Sequence, residues 1–389
     1  MIKLFDKTSE FIEGPASNNE NSFNYYHKSN RVEFKIIRVT LENWFSKYPA
    51  GEKKELKIRF KKDFDSAFFE LFLHELFNKL GYEIIIHPQL KDSNKRPDFL
   101  IIKNGEQTYV EAKICFDKTE DEMAFERLQN EFYDQLSKVK IKGFVLAIEE
   151  VNFITKKQPR VKELIARIEN EVCKLDPIQV YKDIQKSGFE ECPRIEFENK
   201  DFNIIVKPMP LIESKKDTIS KNPIGMFPFE SFWGGGEESL RQSILKKSNR
   251  YGKFEIPYLI CINALGRKTS GKTDIENLVW GSLQYTYSTN PNVRDGTFTR
   301  KRDGIFYNSG KSQLQNVSGI IFTKIFPSNI PNAKYWMYKN PFANNNFNFD
   351  DIDLVYSFIK DDQIISAEGT NFDRIFEISK DWLTKESSE

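Results

Sequence analysis

Runs of apolar side chains, spaced by two or by three to four residues, divide the chain into predicted elements. The sharpest pattern lies at residues 97–113, PDFLIIKNGEQTYVEAK. Two β-prone runs, Phe99 to Ile102 and Thr108 to Val110, flank Asn104-Gly105. Asn-Gly between such runs predicts a type I′ hairpin, because both turn residues need positive φ. The register follows by counting. Lys103 opposes Glu106, Leu100 opposes Tyr109 and Asp98 opposes Glu111. Opposed residues share a face of the sheet, and Lys113, two residues past Glu111, shares it too. The pattern thus predicts two carboxylates side by side with an ammonium next to them.

Upstream, residues 63–80 carry Phe68, Phe69, Leu71, Phe72, Leu73, Leu76, Phe77 and Leu80. These cover more than half of a helical circumference and predict a helix buried on more than one side. Asp63, Asp65 and Ser66 offer N-caps, and Gly81 suits the residue just past the end. Glu70 and His74, one turn apart, interrupt the apolar set; they read either as a surface pair or as a carboxylate with a buried role. Residues 81–90 (GYEIIIHPQL) read as a strand that ends near His87. Before the helix, residues 31–39 have strand character and 40–48 suit a short helix. The basic stretch Lys53 to Lys62 reads as a solvated face or as a phosphate-contacting edge. Residues 1–30 read as irregular or as a loose extension.

Downstream, residues 119–138 predict a helix with a buried stripe at Leu128, Phe132 and Leu136. A buried central strand is expected at 143–149, an amphipathic helix at 161–175, and a hairpin around Asn199-Lys200 at 194–211. The Gly- and Pro-rich run 213–236 reads as a domain boundary or a long active-site loop. A helix (238–248), a strand (257–265), a possible helix (274–280), two strands (316–326 and 354–359) and a C-terminal helix (about 371–385) complete the pattern. The aromatic cluster at 335–341 reads as core. Three regions follow: an N-terminal extension, 1–55; a core, 56–210; and a C-terminal α+β region, 211–389, that extends the sheet or binds substrate.

Composition narrows the function classes. The 389 residues include 34 Phe, enough for a large core. No apolar run is long enough to span a membrane, and the first residues lack a signal-peptide core, so a cytoplasmic protein without membrane contact is expected. The scattered Cys115, Cys173, Cys192 and Cys261 argue against a disulfide framework or a zinc cluster. A net charge of +1 means that any nucleic-acid contact must rest on local patches.

Opposed like charges are unfavourable unless something compensates them. A hard divalent cation does so, and Asp98, Glu111 and the Ala112 carbonyl suit Mg²⁺. Lys113 would then orient or deprotonate a water that attacks a phosphodiester. Asp98 followed by Glu111-Ala112-Lys113 after a hairpin resembles the signature of the PD-(D/E)XK nuclease superfamily. Helix, strand, hairpin, helix and strand over residues 63–150 resemble its αβββαβ core. Less specifically, FELFLHELFNKLG, HP, RPDF and VEAK within residues 40–150 resemble a pattern found in uncharacterised bacterial proteins.

The resemblance implies an α/β fold: a restriction-endonuclease-like mixed sheet flanked by helices, with a C-terminal α+β extension. It implies Mg²⁺ or Mn²⁺ held by Asp98, Glu111 and Ala112, with Glu70 near a second metal or a water. Lys113 would activate the water and stabilise the phosphorane. Gln129 and Tyr133 resemble the Q-x-x-x-Y pair of the RecB-like branch, from which Asn130 departs; with His87 and Arg127 they would contact substrate. The activity implied is a metal-dependent endonuclease, acting on DNA in preference to RNA, in bacterial defence or restriction. A homodimer or a partner protein of a defence system would fit. The alternative is a non-catalytic protein of the same fold that binds nucleic acid or a partner.

One motif competes. Residues 266–273, GRKTSGKT, match G-x-x-x-x-G-K-T between a strand and a possible helix, with Lys272 at the lysine position. It reads as a nucleotide-binding loop, a basic nucleic-acid-facing loop or an inert surface loop. The polar, turn-rich stretch that follows argues against the first. Residues 291–312 interleave Arg294, Arg300, Lys301 and Arg302 with Phe298 and Phe306. Such a pattern can grip a backbone and stack bases, and it also describes an ordinary β-turn loop.

Overall fold

The computed structural model describes residues 2–91, 93–229, 235–268, 271–290, 292–293, 295–308, 311–361 and 363–384. The chain divides into two units, one of residues 1–14, 21–117 and 233–389 and the other of residues 15–20 and 118–232.

The first unit begins with helices α1 (Ser22–Lys28), α2 (Val32–Lys47), α3 (Lys53–Lys62) and α4 (Phe64–Lys79). Two expectations are corrected here. Residues 32–39 are helical, not a strand. Ile37, Leu41, Trp44 and Phe45 are buried at helical spacing along α2, and this longer period outweighs the short alternation. The N-terminal segment is not loose either: Leu4, Phe5 and Phe23 enter the core, and Glu42 accepts from the Leu4 and Phe5 amides. The basic stretch forms α3, which buries Leu56 and Phe60. Helix α4 starts where Asp63 accepts from the Ser66 amide, and it is buried nearly all round, as its sequence predicts.

After α4 come β1 (Glu83–Ile86), β2 (Phe99–Lys103) and β3 (Glu106–Cys115). Asn104 and Gly105 adopt φ of 52° and 81°, the left-handed values that the I′ turn needs. The register is the one counted from the sequence: Lys103 opposes Glu106, Leu100 opposes Tyr109 and Phe99 opposes Val110.

The second unit continues with α5 (Glu120–Leu136), β4 (Phe144–Phe153), α6 (Lys162–Val172), α7 (Pro177–Ser187), β5 (Ile195–Glu198), β6 (Phe202–Pro210) and β7 (Ile224–Met226). Its sheet runs β5-β6-β4-β7, over a core of Phe132, Leu136, Leu146, Ile148, Leu164 and Ile168. The strand expected at 143–149 as the centre of a nuclease-like sheet therefore lies here, antiparallel to β6 and parallel to β7. Apolarity predicts burial of a strand but not the partner beside it.

The chain returns to the first unit with α8 (Gly236–Ser248), β8 (Tyr258–Ala264), α9 (Lys272–Trp280), β9 (Leu283–Thr286), β10 (Thr297–Arg300), β11 (Tyr307–Asn308), β12 (Lys311–Ser312), β13 (Gly319–Lys324), β14 (Lys334–Lys339), β15 (Tyr356–Lys360), β16 (Gln363–Ala367) and α10 (Phe372–Ile375). The expected long C-terminal helix is short, since Glu377 turns to a left-handed φ of 57°; its last expected residue lies outside the described residues. The eight-stranded sheet is mixed, in the order β1-β2-β3-β8-β13-β14-β15-β16. β8 lies parallel to β3 and to β13. Alternating side chains serve two cores. Val110, Leu259, Cys261 and Ile321 pack with α4, while Ile260, Ile262, Ile320 and Phe322 pack with Leu240 and Ile244 of α8 and Ile275 and Leu278 of α9.

Candidate active site

Asp98 sits one residue before β2, where the hairpin register brings it level with Glu111. Its Oδ2 accepts from the Ala112 amide at 2.6 Å. The Asp98 carbonyl accepts from the His87 amide at 3.0 Å, which ties the end of β1 to the start of β2. His87 holds a left-handed φ of 49°, a strained value for a residue with a Cβ. Burial raises the Asp98 pKa; the negative charges of Glu111 and Glu70 add to the rise, while the Ala112 amide and Lys247 oppose it, and the net effect is a rise to about 7.

Glu70 projects from α4 and is 3% exposed. Arg59 grips both of its oxygens at 2.5 Å, and the Tyr48 hydroxyl donates to Oε1 at 2.5 Å. This is the fork geometry that makes a buried carboxylate tolerable. Burial and the Glu70 carboxylate both push the Tyr48 hydroxyl pKa well up. The surface Glu70–His74 pair is not formed. His74 is buried against the Tyr48 ring, its Nδ1 lacks a partner, and burial lowers its pKa to about 4.

Glu111 is 1% exposed. Sequence reasoning expected Lys113 to lie beside it, but Lys247, near the C-terminal end of α8, makes the ion pair. Tyr251 donates its hydroxyl to Oε2 at 2.5 Å, and Arg250 approaches Oε1 at 3.5 Å. Lys113 itself is exposed. Arg59, Glu70, Asp98, Ala112, Lys113 and Lys247 together line a concavity of about 270 Å³. Two parallel strands and a helix end achieve this: β3 presents Lys113, β8 lies against β3, and α8 brings Lys247.

One donor atom from each of Glu70, His87 and Asp98 lies within 4.8 Å of the others. Two carboxylates and an imidazole are donors that suit a divalent cation with mixed oxygen and nitrogen preference, such as Mn²⁺, and accept Mg²⁺. Both Glu70 oxygens already accept from Arg59 and Tyr48, however, so an ion here would have to share them with those donors. Glu111 is not part of this trio, because its oxygens are turned towards Lys247, Arg250 and Tyr251.

The other expected site residues scatter. Arg127, Gln129 and Tyr133 lie on α5, in the second unit. Tyr133 is a core residue there, packed edge-on against Phe132 and Phe227. Arg300 is structural: it donates to Asn277 at 3.0 Å, to the Gly281 carbonyl at 2.7 Å and to Glu276 at 3.1 Å. Lys272 pairs with Glu276 at 3.5 Å. Arg302 is exposed, whereas Phe306 is fully buried beside Trp280. Arg294 lies outside the described residues.

The residues that sequence reasoning left without a role here are Tyr48, Arg59, Lys247, Arg250 and Tyr251. A signal existed for Arg59, which stands three residues after Leu56 and one before Phe60, on the buried face of α3. None existed for Lys247, which is separated from Glu111 by 136 residues.

The 266–273 loop carries its own anion. The Asp117 carboxylate, 5% exposed, accepts from the Arg267 amide at 3.0 Å and from the Lys268 amide. A Cβ on Gly266 would fall on this carboxylate. Amides that would face a phosphate in a nucleotide loop face Asp117 instead. Thr269 and Ser270 lie outside the described residues.

No protein-family model, curated protein or solved structure matches this chain.

Proposed function

We propose that the first unit is a metal-dependent phosphodiesterase of PD-(D/E)XK type that acts on nucleic acid, DNA in the first instance. One observation carries the reading. Asp98, Glu70 and Lys113 line one concavity, and Asp98 is held at the cost of a pKa raised to about 7. Strongly perturbed acids cluster at functional clefts. The element order supports it: α4, β1, β2, β3, α8 and β8 give α-β-β-β-α-β, with antiparallel, antiparallel and then parallel pairing. In this reading residues 118–232 are an insertion between β3 and α8.

Asp98 shares a donor set with Glu70 and His87; the set that the sequence resemblance implies, with Glu111 and the Ala112 carbonyl, would require Glu111 to exchange Lys247, Arg250 and Tyr251 for the ion. A bound Mg²⁺ or Mn²⁺ would acidify water and offset charge on the phosphoryl oxygens. Arg59 and Tyr48 hold Glu70 in place. Lys113, exposed at the rim, would orient or deprotonate the attacking water, and Lys247 would meet the phosphate from the α8 side.

A second reading has its own observation. Glu111 is fully partnered by protein groups, as expected of a nuclease-like module that binds nucleic acid without cutting it. A digestion panel decides: plasmid, single-stranded DNA and RNA, each with Mg²⁺, Mn²⁺ or EDTA. Metal-dependent cleavage lost in Asp98→Asn and in Lys113→Ala supports the first reading. Equal cleavage by both variants refutes it. Mn²⁺ binding without any cleavage favours the second.

A further inference from the structure

The β9–β10 ribbon is a two-stranded hairpin outside the main sheet. Phe298 opposes Tyr285 across it, and Tyr287 follows β9 on the same face as Tyr285. These three rings are exposed to 50% (Tyr285), 64% (Tyr287) and 66% (Phe298). They nevertheless form an ordered row. The Tyr285 and Phe298 centroids are 4.6 Å apart, and Tyr285 stacks on Tyr287 at 5.8 Å. Gly296 makes the row possible, because a Cβ there would fall on the Tyr285 hydroxyl. The ring therefore lies across the ribbon rather than standing away from it.

The base of the ribbon is anchored while the row is free. Arg300 ties β10 to α9 through Glu276 and Asn277. Ser282 and Asp303 close the base, where the Asp303 carboxylate accepts from the Ser282 amide at 2.7 Å and from its hydroxyl at 2.8 Å. Beyond the anchor, Lys301 and Arg302 are exposed. Two acids accompany these cations: Asp295, which accepts from the Ser288 amide at 3.1 Å, and Asp303, which is engaged by Ser282 at the base.

We propose that the Tyr285–Tyr287–Phe298 row is a stacking platform for single-stranded nucleic acid, with Lys301 and Arg302 contacting the backbone. Open aromatic faces on a ribbon whose base carries exposed Lys301 and Arg302 match unpaired bases on a polyanion. Paired bases in a duplex present no free face. The proposal rests on the reading that the substrate is nucleic acid, and it names the form engaged: a strand with unstacked bases.

The test is fluorescence anisotropy of the full chain with a fluorescein-labelled oligothymidylate in EDTA, where cleavage is off. A blunt duplex of the same length serves as control. Tyr287→Ala or Phe298→Ala should each weaken oligothymidylate binding roughly 5- to 150-fold. Gly296→Ala should weaken it by displacing the Tyr285 ring, and Tyr285→Phe should keep it. Lys301→Gln should reduce the slope of log K against log salt by about 0.7. Duplex affinity should not change in the ring variants. Because the substituted side chains are exposed, unchanged thermal melts confirm folding. Wild-type-like binding by the ring variants overturns the proposal, as does equal loss on duplex. A wild-type dimer that becomes monomeric in Tyr287→Ala, with no oligonucleotide binding, would assign the row to self-association. Failure of the nuclease reading looks different: the oligonucleotide still binds through the ribbon, but no metal produces cleavage.

Discussion

Asp98→Asn should make the metal-free protein more stable at pH 8 while removing its activity. Asp98 is half-buried, and desolvation together with the charges of Glu111 and Glu70 raises its pKa from the ordinary 3.8 to about 7. A carboxyl with a raised folded-state pKa binds more protons folded than unfolded between those values, so stability falls as pH rises through that window. Below about 4 the full contribution is present, and above about 7 it is lost. At about 1.4 kcal/mol for each tenfold change in proton affinity, the loss amounts to about 4 kcal/mol. The amide introduced by Asp98→Asn keeps an oxygen for the Ala112 amide and carries no charge, so the variant lacks this pH dependence. The assay is urea denaturation of both proteins in EDTA at pH 5 and pH 8. The difference between the two proteins cancels the groups they share. The variant should gain about 2–4 kcal/mol on the wild type between pH 5 and pH 8. A difference that does not change with pH, or changes in favour of the wild type, would refute the account of Asp98 as a carboxylate held against its solvation. Adding Mn²⁺ at pH 8 should raise wild-type stability and leave the variant unmoved.

Other outcomes follow from the same geometry. Lys247→Met should destabilise by about 3 kcal/mol, because it leaves a buried carboxylate short of its ion-pair partner, and adding Glu111→Gln should recover most of that; an unchanged denaturation midpoint in the single variant would refute the pairing. Tyr48→Phe should cost about 1.5 kcal/mol through the lost hydrogen bond to Glu70, measured by the same denaturation. Lys113→Ala should leave the melting temperature within about 2 °C, since the side chain is exposed, yet abolish metal-dependent cleavage. ATP should show no binding by equilibrium dialysis, and Lys272→Ala should change nothing, because Asp117 already occupies the loop amides; saturable ATP binding lost in that variant would overturn this.

Local physics was legible in the sequence. Asn104-Gly105 dictates a two-residue turn that takes left-handed φ at both positions, and that turn alone fixes the register that sets Asp98 level with Glu111. The apolar circumference of residues 63–80 dictates a buried helix, so Glu70 needed a partner, although the sequence did not say which. Where two periodicities competed over residues 31–47, the short alternation misled, and the helical burial of Ile37, Leu41, Trp44 and Phe45 decided the outcome. What lay beyond the sequence was pairing over long separations. A parallel neighbour carries no turn signature, so nothing in residues 106–115 named β8 as the strand beside β3, or removed 144–153 to another sheet. The same holds for charge. Lys113 is two residues from Glu111 and lies exposed, while Lys247, 136 residues away, holds it, because a helix packed on the sheet can deliver an ammonium to a buried acid from any distance along the chain.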